Sequence, residues 1–453
     1  RDPQAVMIWR GSAGTGKTSL SGAIVRTLLQ IRQKVMLLAP TGRAAKVFSL
    51  GSGAPAYTIH RRIYREKTFA GVDGQFSLND NLYTDTLFMV DEASMIANMG
   101  LGGTTFGSGC LTDDLVKFVY QGHNDRLLLI GDKAQLPPVG EEESPALSAS
   151  VMEGYGLKVY ECDLNEVLRQ SQSSGILYNA TLIRQMITHD AVTGLPLIRF
   201  KGFADIVMMP GAELVESLGD SYHHVGMDET MVITRSNKRA NIYNNGIRNM
   251  VLDREEELSS GDMLMIVKNN YFWTEKEKKE SGEGSAGAVP AFLANGDRAK
   301  VLRVSNYIEL YGFRFATLLL QLPDYDDYEM QVTGMLDTLQ SEAPALTHEQ
   351  QEELFRQVEE DYQHFVPLKA DRMKSIRQDA YFNALQIKYA YAVTCHKAQG
   401  GQWAHVYVDQ GYMTDDMLTP DYIHWLYTAF TRATDKLFLV NWPKEQTCEP
   451  TDL

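Results

Sequence analysis

The sequence predicts an α/β protein built from two parallel-sheet lobes, the second of them interrupted by an insertion. Three observations carry this. Apolar strand-like runs (AVMIW, KVMLLAP, TLFMVDE, RLLLIGD) alternate with amphipathic segments such as Leu20 to Leu29 through the first third of the chain. The same rhythm returns late in TMVITRSNKRANIYNNGIR, KYAYAVTCHKAQGGQWAHVYVDQG and DKLFLVNW. Between the first two of these late runs lies a stretch of different character, from about Gly261 to Asp379. Buried runs alternating with helices indicate a parallel sheet covered on both faces, with ligands at the carboxyl ends of its strands.

Length supports more than one core. The 453 residues exceed the roughly 250–300 at which single cores stop growing. Apolar residues make up 44% and charged residues 22% of the chain, a soluble globular composition. No run approaches a membrane span, and the start RDPQAVMIWRG has no secretory pattern, so an intracellular, cytoplasmic protein is expected. Because the chain is in a strand-like run by Val6, residues upstream of Arg1 are expected to be missing. Four cysteines without CxxC spacing argue against a disulfide framework and a structural zinc site. The net charge of −15 leaves room for a local basic groove and decides little about nucleic acid as a partner.

In chain order, the first chemical signal is GSAGTGKT, Gly11 to Thr18, after a strand and opening a helix. Backbone N–H groups of such a loop (Gly11, Gly14, Thr15, Gly16, Lys17, Thr18, with Ser19 following) cradle phosphates. Lys17 reaches the β- and γ-phosphates and the Thr18 hydroxyl ligates magnesium. An insertion rich in Arg, Tyr, Phe and Asn then lies between His60 and Asp85. In it, Tyr64 and Phe69 fit base stacking and core packing equally well. LFMVDEAS supplies Asp91, a magnesium carboxylate, and Glu92, which polarises the attacking water. LLLIGDKAQLPPVG supplies Gln135, whose amide can accept from water and donate to a γ-phosphate. For Asp132 a capped turn and a functional role stand side by side. Arg169 (LNEVLRQ) and Arg432 (LYTAFTRAT) read by spacing either as surface ion pairs or as fingers on a transferring phosphoryl group.

The interruption divides into short alternating strands (DMLMIVKNN, RAKVLRVSN, FRFATLLLQL), which suggest a small β-barrel, and a charged helical stretch from about His348 to Gln378. TEKEKKESGEGSAGAV inside it reads as a mobile loop. In VTCHKAQGGQW, Cys395 and His396 read as strand neighbours on opposite faces, poorly placed as nucleophile and base and short of zinc ligands.

Taken in order, GSAGTGKT, LLAPTGRAAKVF, TIHR, DEAS, GDKAQLPPVG, LRQ, VTCHKAQGGQW and YTAFTRAT resemble the motifs of superfamily-one helicases. The TIH and TCHKAQG forms are similar to the 5'-to-3' branch that holds the Pif1, RecD-like and phage Dda helicases, with bacterial Pif1-type enzymes the nearest in pattern. The resemblance implies two RecA-like lobes with ATP and Mg2+ between them. It places the first lobe over 1–165, with a wedge insertion at about 61–85, and the second over 166–260 and 380–453. An SH3-like barrel and helical insertion fill 261–379. It makes Arg169 and Arg432 the fingers and turns Gln399 to Gly401, Gly400 above all, toward the nucleotide. DNA contacts are implied for Pro40, Thr41, Gly42, Thr58, His60, Ser236, Asn237, Lys238, Thr394, His396 and Lys397. Read from the residues alone, Thr41 fits a helix cap and Asn237 a turn equally well.

The expected activity is ATP-driven 5'-to-3' translocation on single-stranded DNA by a monomer, unwinding forked or partial duplexes, with G-quadruplexes as a further candidate substrate. A remodelling ATPase that does not unwind and a RecD-like subunit of a nuclease complex are the alternatives. The Pif1 signature after Leu111 matches only loosely, at TDDLVKFV, and this chain begins too close to the phosphate loop to include the family's upstream adenine-recognition glutamine motif.

Overall fold

The apolar run after Gln4 becomes β1 (Ala5–Gly11), and its residues divide between two cores as strand periodicity requires. Val6 and Ile8 pack with Leu38, Phe88, Val90, Leu127 and Leu129 on one side of a sheet; Trp9 packs with Leu37, Met89, Leu128 and Ile130 on the other. A sheet apolar on both faces needs cover on both, which is why its strands read as continuous hydrophobic runs.

The computed structural model describes residues 4–69, 74–98, 107–164, 173–188, 194–281, 289–290 and 292–448. They form two units, one of residues 1–235 and 395–453 and the other of residues 236–394. After β1 the first unit runs through α1 (Lys17–Gln30), β2 (Lys34–Ala39), α2 (Gly42–Ser52), β3 (Ala56–Thr58), α3 (Ile59–Ile63), β4 (Tyr64–Phe69), β5 (Gly74–Leu78), β6 (Thr86–Val90), α4 (Leu111–Gln121), β7 (Arg126–Gly131), α5 (Ala149–Gly154) and β8 (Lys158–Leu164). The sheet order is β3-β2-β6-β7-β1-β8, and every pairing is parallel. β4 and β5 form a separate antiparallel hairpin inside the insertion anticipated between His60 and Asp85.

The chain continues through α6 (Gly175–Thr188), β9 (Ile206–Met209), α7 (Leu214–His224) and β10 (Thr230–Thr234). The second unit comes next, with α8 (Asn237–Gly246), β11 (Met263–Ile266), α9 (Phe272–Ser281), β12 (Arg298–Leu310), β13 (Phe313–Leu322), β14 (Tyr328–Met335), α10 (His348–Gln363), α11 (Lys369–Arg377), β15 (Leu385–Tyr389) and β16 (Ala392–Thr394). Strands β11 to β15 close into a barrel, the small barrel that the alternating segments suggest. The charged stretch is helical as expected, and α10 starts on a capping box between Thr347 and Gln350. One expectation fails: TEKEKKES is not a loop but most of α9. The helix is pinned at its start by Trp273, which is 4% exposed and donates from Nε1 to the Asn383 carbonyl at 2.9 Å. That burial outweighs the charge density of the seven residues from Glu275 to Ser281. Residues 282–288 lie outside the described part.

Within this unit a buried ion cluster ties the segment after α8 to the residues after β15. Asp262 accepts from Arg248 Nε and Nη2 (3.0 and 3.1 Å), from Arg254 Nη1 (2.7 Å) and from the Tyr391 hydroxyl (2.7 Å). A carboxylate with this many charge-assisted partners tolerates full burial.

The first unit resumes with α12 (Cys395–Ala398), β17 (Trp403–Asp409), α13 (Pro420–Phe430) and β18 (Ala433–Val440). Here β10, β17, β18 and β9 pair in that order, all parallel. Cys395 and His396 lie in a helical turn rather than on a strand, a correction to the sequence reading. Neighbours on a helix also diverge, so the conclusion that they form no dyad is unchanged.

Asp297 generates a testable pH dependence. It is 1% exposed and accepts from the Ala294 N–H and the Tyr325 hydroxyl on the same oxygen, Oδ2. Burial pushes its carboxyl up to about 7. The native protein therefore holds a proton that the unfolded chain gives up near pH 4, and stability falls as pH rises from about 4 to about 7. Asp297→Asn keeps the acceptor and removes the titration. Its unfolding free energy in urea should lose that slope, a change bounded at about 4 kcal/mol by the roughly 1.4 kcal/mol carried per pKa unit; an unchanged slope would refute the assignment.

Candidate active site

The phosphate-loop sequence folds as its glycines demand. Gly14 and Gly16 both have φ of 77°, the left-handed region that side chains with a Cβ rarely adopt. Gly16 precedes the first turn of α1, leaving that turn's N–H groups directed into the loop. Thr15 closes the loop by donating from Oγ1 to the Ser12 carbonyl at 2.7 Å. Lys17 donates from Nζ to the carbonyls of Gly11 and Ser12 and lies 4.0 Å from Asp132 Oδ2. Thr18 and Ser19 are both exposed on the first turn of α1.

Asp91 and Glu92 come directly after β6, the strand that neighbours β7 in the same sheet. The Glu92 N–H donates to Asp91 Oδ1 at 2.9 Å, and Glu92 itself has φ of 52°, a left-handed conformation unusual for its type. Burial first, then the Glu92 charge, raises the Asp91 carboxyl; Lys17 and the Glu92 N–H pull it back. Glu92 Oε2 is buried without a hydrogen-bond partner among the described residues, and so is Oε1 of Gln135, which is 5% exposed. Buried acceptors left unsatisfied at neighbouring strand ends fit donors or a cation from outside the chain. A magnesium ion held by Thr18 and Asp91 suits this donor set of hydroxyl and carboxylate oxygens.

Asp132 caps its turn, as one of the two sequence readings has it, and also holds a distant helix. Its Oδ1 caps the turn by accepting from the Ala134 N–H at 3.0 Å, and its Oδ2 accepts from the Tyr427 hydroxyl at 2.6 Å. Tyr427 lies on α13, and its oxygen also accepts from the Ala13 N–H at 3.0 Å. Burial and the Asp132 charge push the phenol well above its usual range, so it stays a donor. The same helix presents Thr428 Oγ1 to the Leu136 N–H at 2.8 Å and His424 Nδ1 to the Ala134 carbonyl at 2.8 Å. Gln399 Nε2 donates to the Leu136 carbonyl at 2.7 Å. Arg184 of α6 donates to Ser12 Oγ at 2.9 Å. Sequence reasoning missed Tyr427 and Arg184. Tyr427 is embedded in an apolar helix, LYTAF, and reads there as core; Arg184 has no motif around it.

Arg432 is 2% exposed. Its guanidinium donates to the Gly401 carbonyl (3.0 Å), the Thr428 carbonyl (3.1 Å) and Thr431 Oγ1 (3.2 Å). Gly400, φ 73°, stands against α2: a Cβ there would come within 3.1 Å of Thr41 Oγ1. Arg169 lies outside the described residues, and so does the side chain of Phe69. Tyr64 belongs to the core, 8% exposed and donating to Asp114 Oδ2 at 2.7 Å.

The candidate DNA contacts gather at helix starts. Thr41 caps α2, accepting from the Ala44 N–H at 3.2 Å, with Pro40 just before it and buried Gly42 opening the helix. Thr58 caps α3, accepting from the Arg61 N–H at 3.4 Å. Burial pushes the His60 imidazole in α3 down to about 4, so it is neutral near pH 7. His396 is exposed and Lys397 half-buried in α12. In the second unit Ser236 caps α8, accepting from the Arg239 N–H at 3.2 Å. Asn237 Nδ2 donates to the Glu342 carbonyl at 3.1 Å, and Lys238 is exposed. Half-buried Thr394 ends β16, whose Ala392 is held through N–H and carbonyl by the amide of Asn244. Burial pushes the Cys395 thiol up to about 12, consistent with an inert side chain. Among the described residues no group of three or more His, Cys, Asp or Glu could hold a metal ion. No helix among them is long and apolar enough to cross a membrane.

Comparison with known proteins gives matches at both ends. An AAA domain model matches residues 1–193 and a UvrD-like helicase C-terminal domain model matches residues 389–440. The chain is 35% identical over 147 residues to an uncharacterized protein of Methanocaldococcus jannaschii, covering 30% of this chain and 12% of that protein. It is 30% identical over 135 residues to the ATP-dependent RecD2 DNA helicase of Deinococcus radiodurans, again 30% of this chain and 16% of the relative. The chain therefore spans less than a fifth of the length of either relative. Among solved structures, the Pif1 helicase from Bacteroides in complex with ADP-AlF3 and ssDNA aligns over 99% of this chain and 92% of its own, at 13% identity and a TM-score of 0.46.

Tyr427→Phe leaves Asp132 Oδ2 and the Ala13 N–H without their shared partner in a buried place. The unfolding transition should move by about 1–3 kcal/mol toward instability; a denaturation curve that superimposes on the wild type would show that the hydroxyl holds nothing.

Proposed function

We infer that this chain is a superfamily-one helicase, an ATP-dependent, 5'-to-3' DNA helicase of Pif1 type. It moves as a monomer along single-stranded DNA and separates forked or partial duplexes, with G-quadruplexes a further candidate. The observation that supports this best is the loop from Asp132 to Leu136. It leaves a strand of the first sheet, carries Gln135, and is hydrogen-bonded to α13, the helix that leads into a strand of the second sheet. A nucleotide at that loop touches both sheets, so its binding and hydrolysis bias their arrangement.

In this reading Lys17 exchanges the carbonyls of Gly11 and Ser12 for phosphate oxygens, and the N–H groups of Gly14 to Thr18 cradle the same phosphates. Magnesium, held by Thr18 and Asp91, would neutralise charge on the β- and γ-phosphates. Glu92, with its free buried oxygen, takes the proton of the attacking water, while the Gln135 amide orients that water. Arg432 turns from the Gly401 carbonyl to the transferring phosphoryl group, a role shared with Arg169. Thr41, Thr58 and Ser236, all at helix N-termini, hold backbone phosphates with Pro40, Gly42, His60, Asn237, Lys238, Thr394, His396 and Lys397. Such contacts grip any sequence.

The test is strand separation on fluorescent duplexes carrying a 5' or a 3' overhang, with and without ATP. Unwinding of the 5'-tailed duplex alone is expected. Lys17→Ala should abolish turnover, by at least about a hundredfold, while single-stranded DNA binding remains measurable. Preference for the 3' tail would refute the polarity; substantial ATPase in Lys17→Ala would refute the site.

A further inference from the structure

One contact in the first unit has no place in the hydrolytic machinery. The guanidinium of Arg43, on the first turn of α2, lies 4.9 Å from the ring centroid of Trp403, the first residue of β17. Its Nη2 donates to the Gln402 carbonyl at 2.6 Å. Trp403 is 2% exposed, an indole plate with a cation on it. The backbone before it is pressed to the same plate, since a Cβ on Gly401 would come within 2.4 Å of the Trp403 ring. Behind the plate, the Trp403 N–H donates to the Arg432 carbonyl at 2.9 Å, and Arg432 returns its Nη1 to the Gly401 carbonyl at 3.0 Å.

The loop from Gly400 to Trp403 is thus held from two sides by two arginines. Arg43 holds it from α2, two residues after Thr41; Arg432 holds it from the end of α13. Each donates to a different carbonyl of the loop. The two grips differ in kind. Arg432 uses point hydrogen bonds, which break when the guanidinium turns toward another acceptor. Arg43 adds a stacked cation, whose attraction to the ring face tolerates sliding. When Arg432 releases Gly401, the loop remains attached to α2 through Arg43 and Trp403.

We propose that Arg43 and Trp403 form the coupling joint that transmits movement of Arg432 to the nucleic-acid grip at the start of α2. Arg43 is then a positioning residue acting through Trp403. The proposal rests on the helicase reading above, and its experiment separates the two. Arg43→Met keeps the stem and removes the charge and the donors; Trp403→Phe keeps a ring face. ATPase is measured in full-length protein over a titration of oligo(dT), with binding of the same oligo(dT) measured by fluorescence anisotropy.

If the joint transmits the signal, basal ATPase and oligo(dT) affinity of Arg43→Met stay within about twofold of wild type. The DNA-stimulated rate at saturation falls on the order of tenfold, the size of a typical coupling between sites. Arg43→Lys, which restores the cation, recovers part of the stimulation, Trp403→Phe loses less than Arg43→Met, and the double variant Arg43→Met with Trp403→Phe falls no further than Arg43→Met. Full stimulation of Arg43→Met at saturating oligo(dT) overturns the proposal, and if accompanied by weakened binding it makes Arg43 a plain DNA contact. Loss of basal and stimulated rates in equal proportion also overturns it, leaving a structural role. A wild-type protein whose ATPase ignores DNA would instead refute the helicase reading itself.

Discussion

The hydrogen bond from the Tyr427 hydroxyl to Asp132 is the constraint around which the first unit is organised. Asp132 is 4% exposed and closes the turn after β7 while standing 4.0 Å from the phosphate-loop lysine. An unpaired carboxylate in such a place would be costly, and the partner comes from the other sheet's helix. Because the Tyr427 oxygen also accepts from Ala13, a single side chain fixes the phosphate loop, the turn carrying Gln135 and the helix that ends at Arg432. Thr428 and His424, one and three residues away, repeat the attachment on the same helix. The candidate active site and the joint between sheets are therefore one structure.

Much of this is legible in the sequence, for identifiable physical reasons. Continuous apolar runs cannot be exposed on either face, so AVMIW, KVMLLA, TLFMV and RLLLIG announce a doubly covered parallel sheet on their own. The glycines of GSAGTGKT announce positive φ, found at Gly14 and Gly16. The carboxylates and Gln135 are marked by their positions after buried strands. What escapes detection depends on contacts between distant segments. Tyr427 is apolar in context and polar only through Asp132, which is 295 residues away. Asp132 is ambiguous in the sequence, which offers a turn cap or a functional group; the structure shows the cap on one oxygen and the Tyr427 hydroxyl on the other.

The helical start of TEKEKKESGEGSAGAV shows a different failure. Charge and glycine content argue for a loop, but the two residues before the stretch decide the outcome. Phe272 and Trp273 anchor the first turn, and a buried indole with a satisfied N–H stabilises more helix than the propensity of Glu and Lys would predict alone. Thr41, Thr58 and Ser236 carry the opposite lesson. Capping and DNA contact look like competing explanations, yet a hydroxyl that caps a helix leaves the remaining N–H groups of that first turn available to a phosphate. The observed caps therefore leave the proposed phosphate contacts open.

Unsatisfied buried polar atoms do not identify a site by themselves. Among the described residues the indole nitrogens of Trp425 and Trp442, the hydroxyl of Ser144 and Oδ1 of Asp297 are also buried without a hydrogen bond. The distinction of Glu92 and Gln135 is coincidence. Both come after neighbouring strands of one parallel sheet, at the carboxyl ends where open α/β sheets bind ligands. Both leave an acceptor oxygen unpaired there. Glu92 additionally holds a φ of 52°, a conformation that costs a non-glycine residue about 1 kcal/mol or more and persists only where surrounding structure imposes it. Two unpaired acceptors, one of them on the strained Glu92, near the N-terminal turn of α1 fit donors and a cation from outside the chain. In the proposed function that combination is what a nucleoside triphosphate, its magnesium ion and a water molecule would supply.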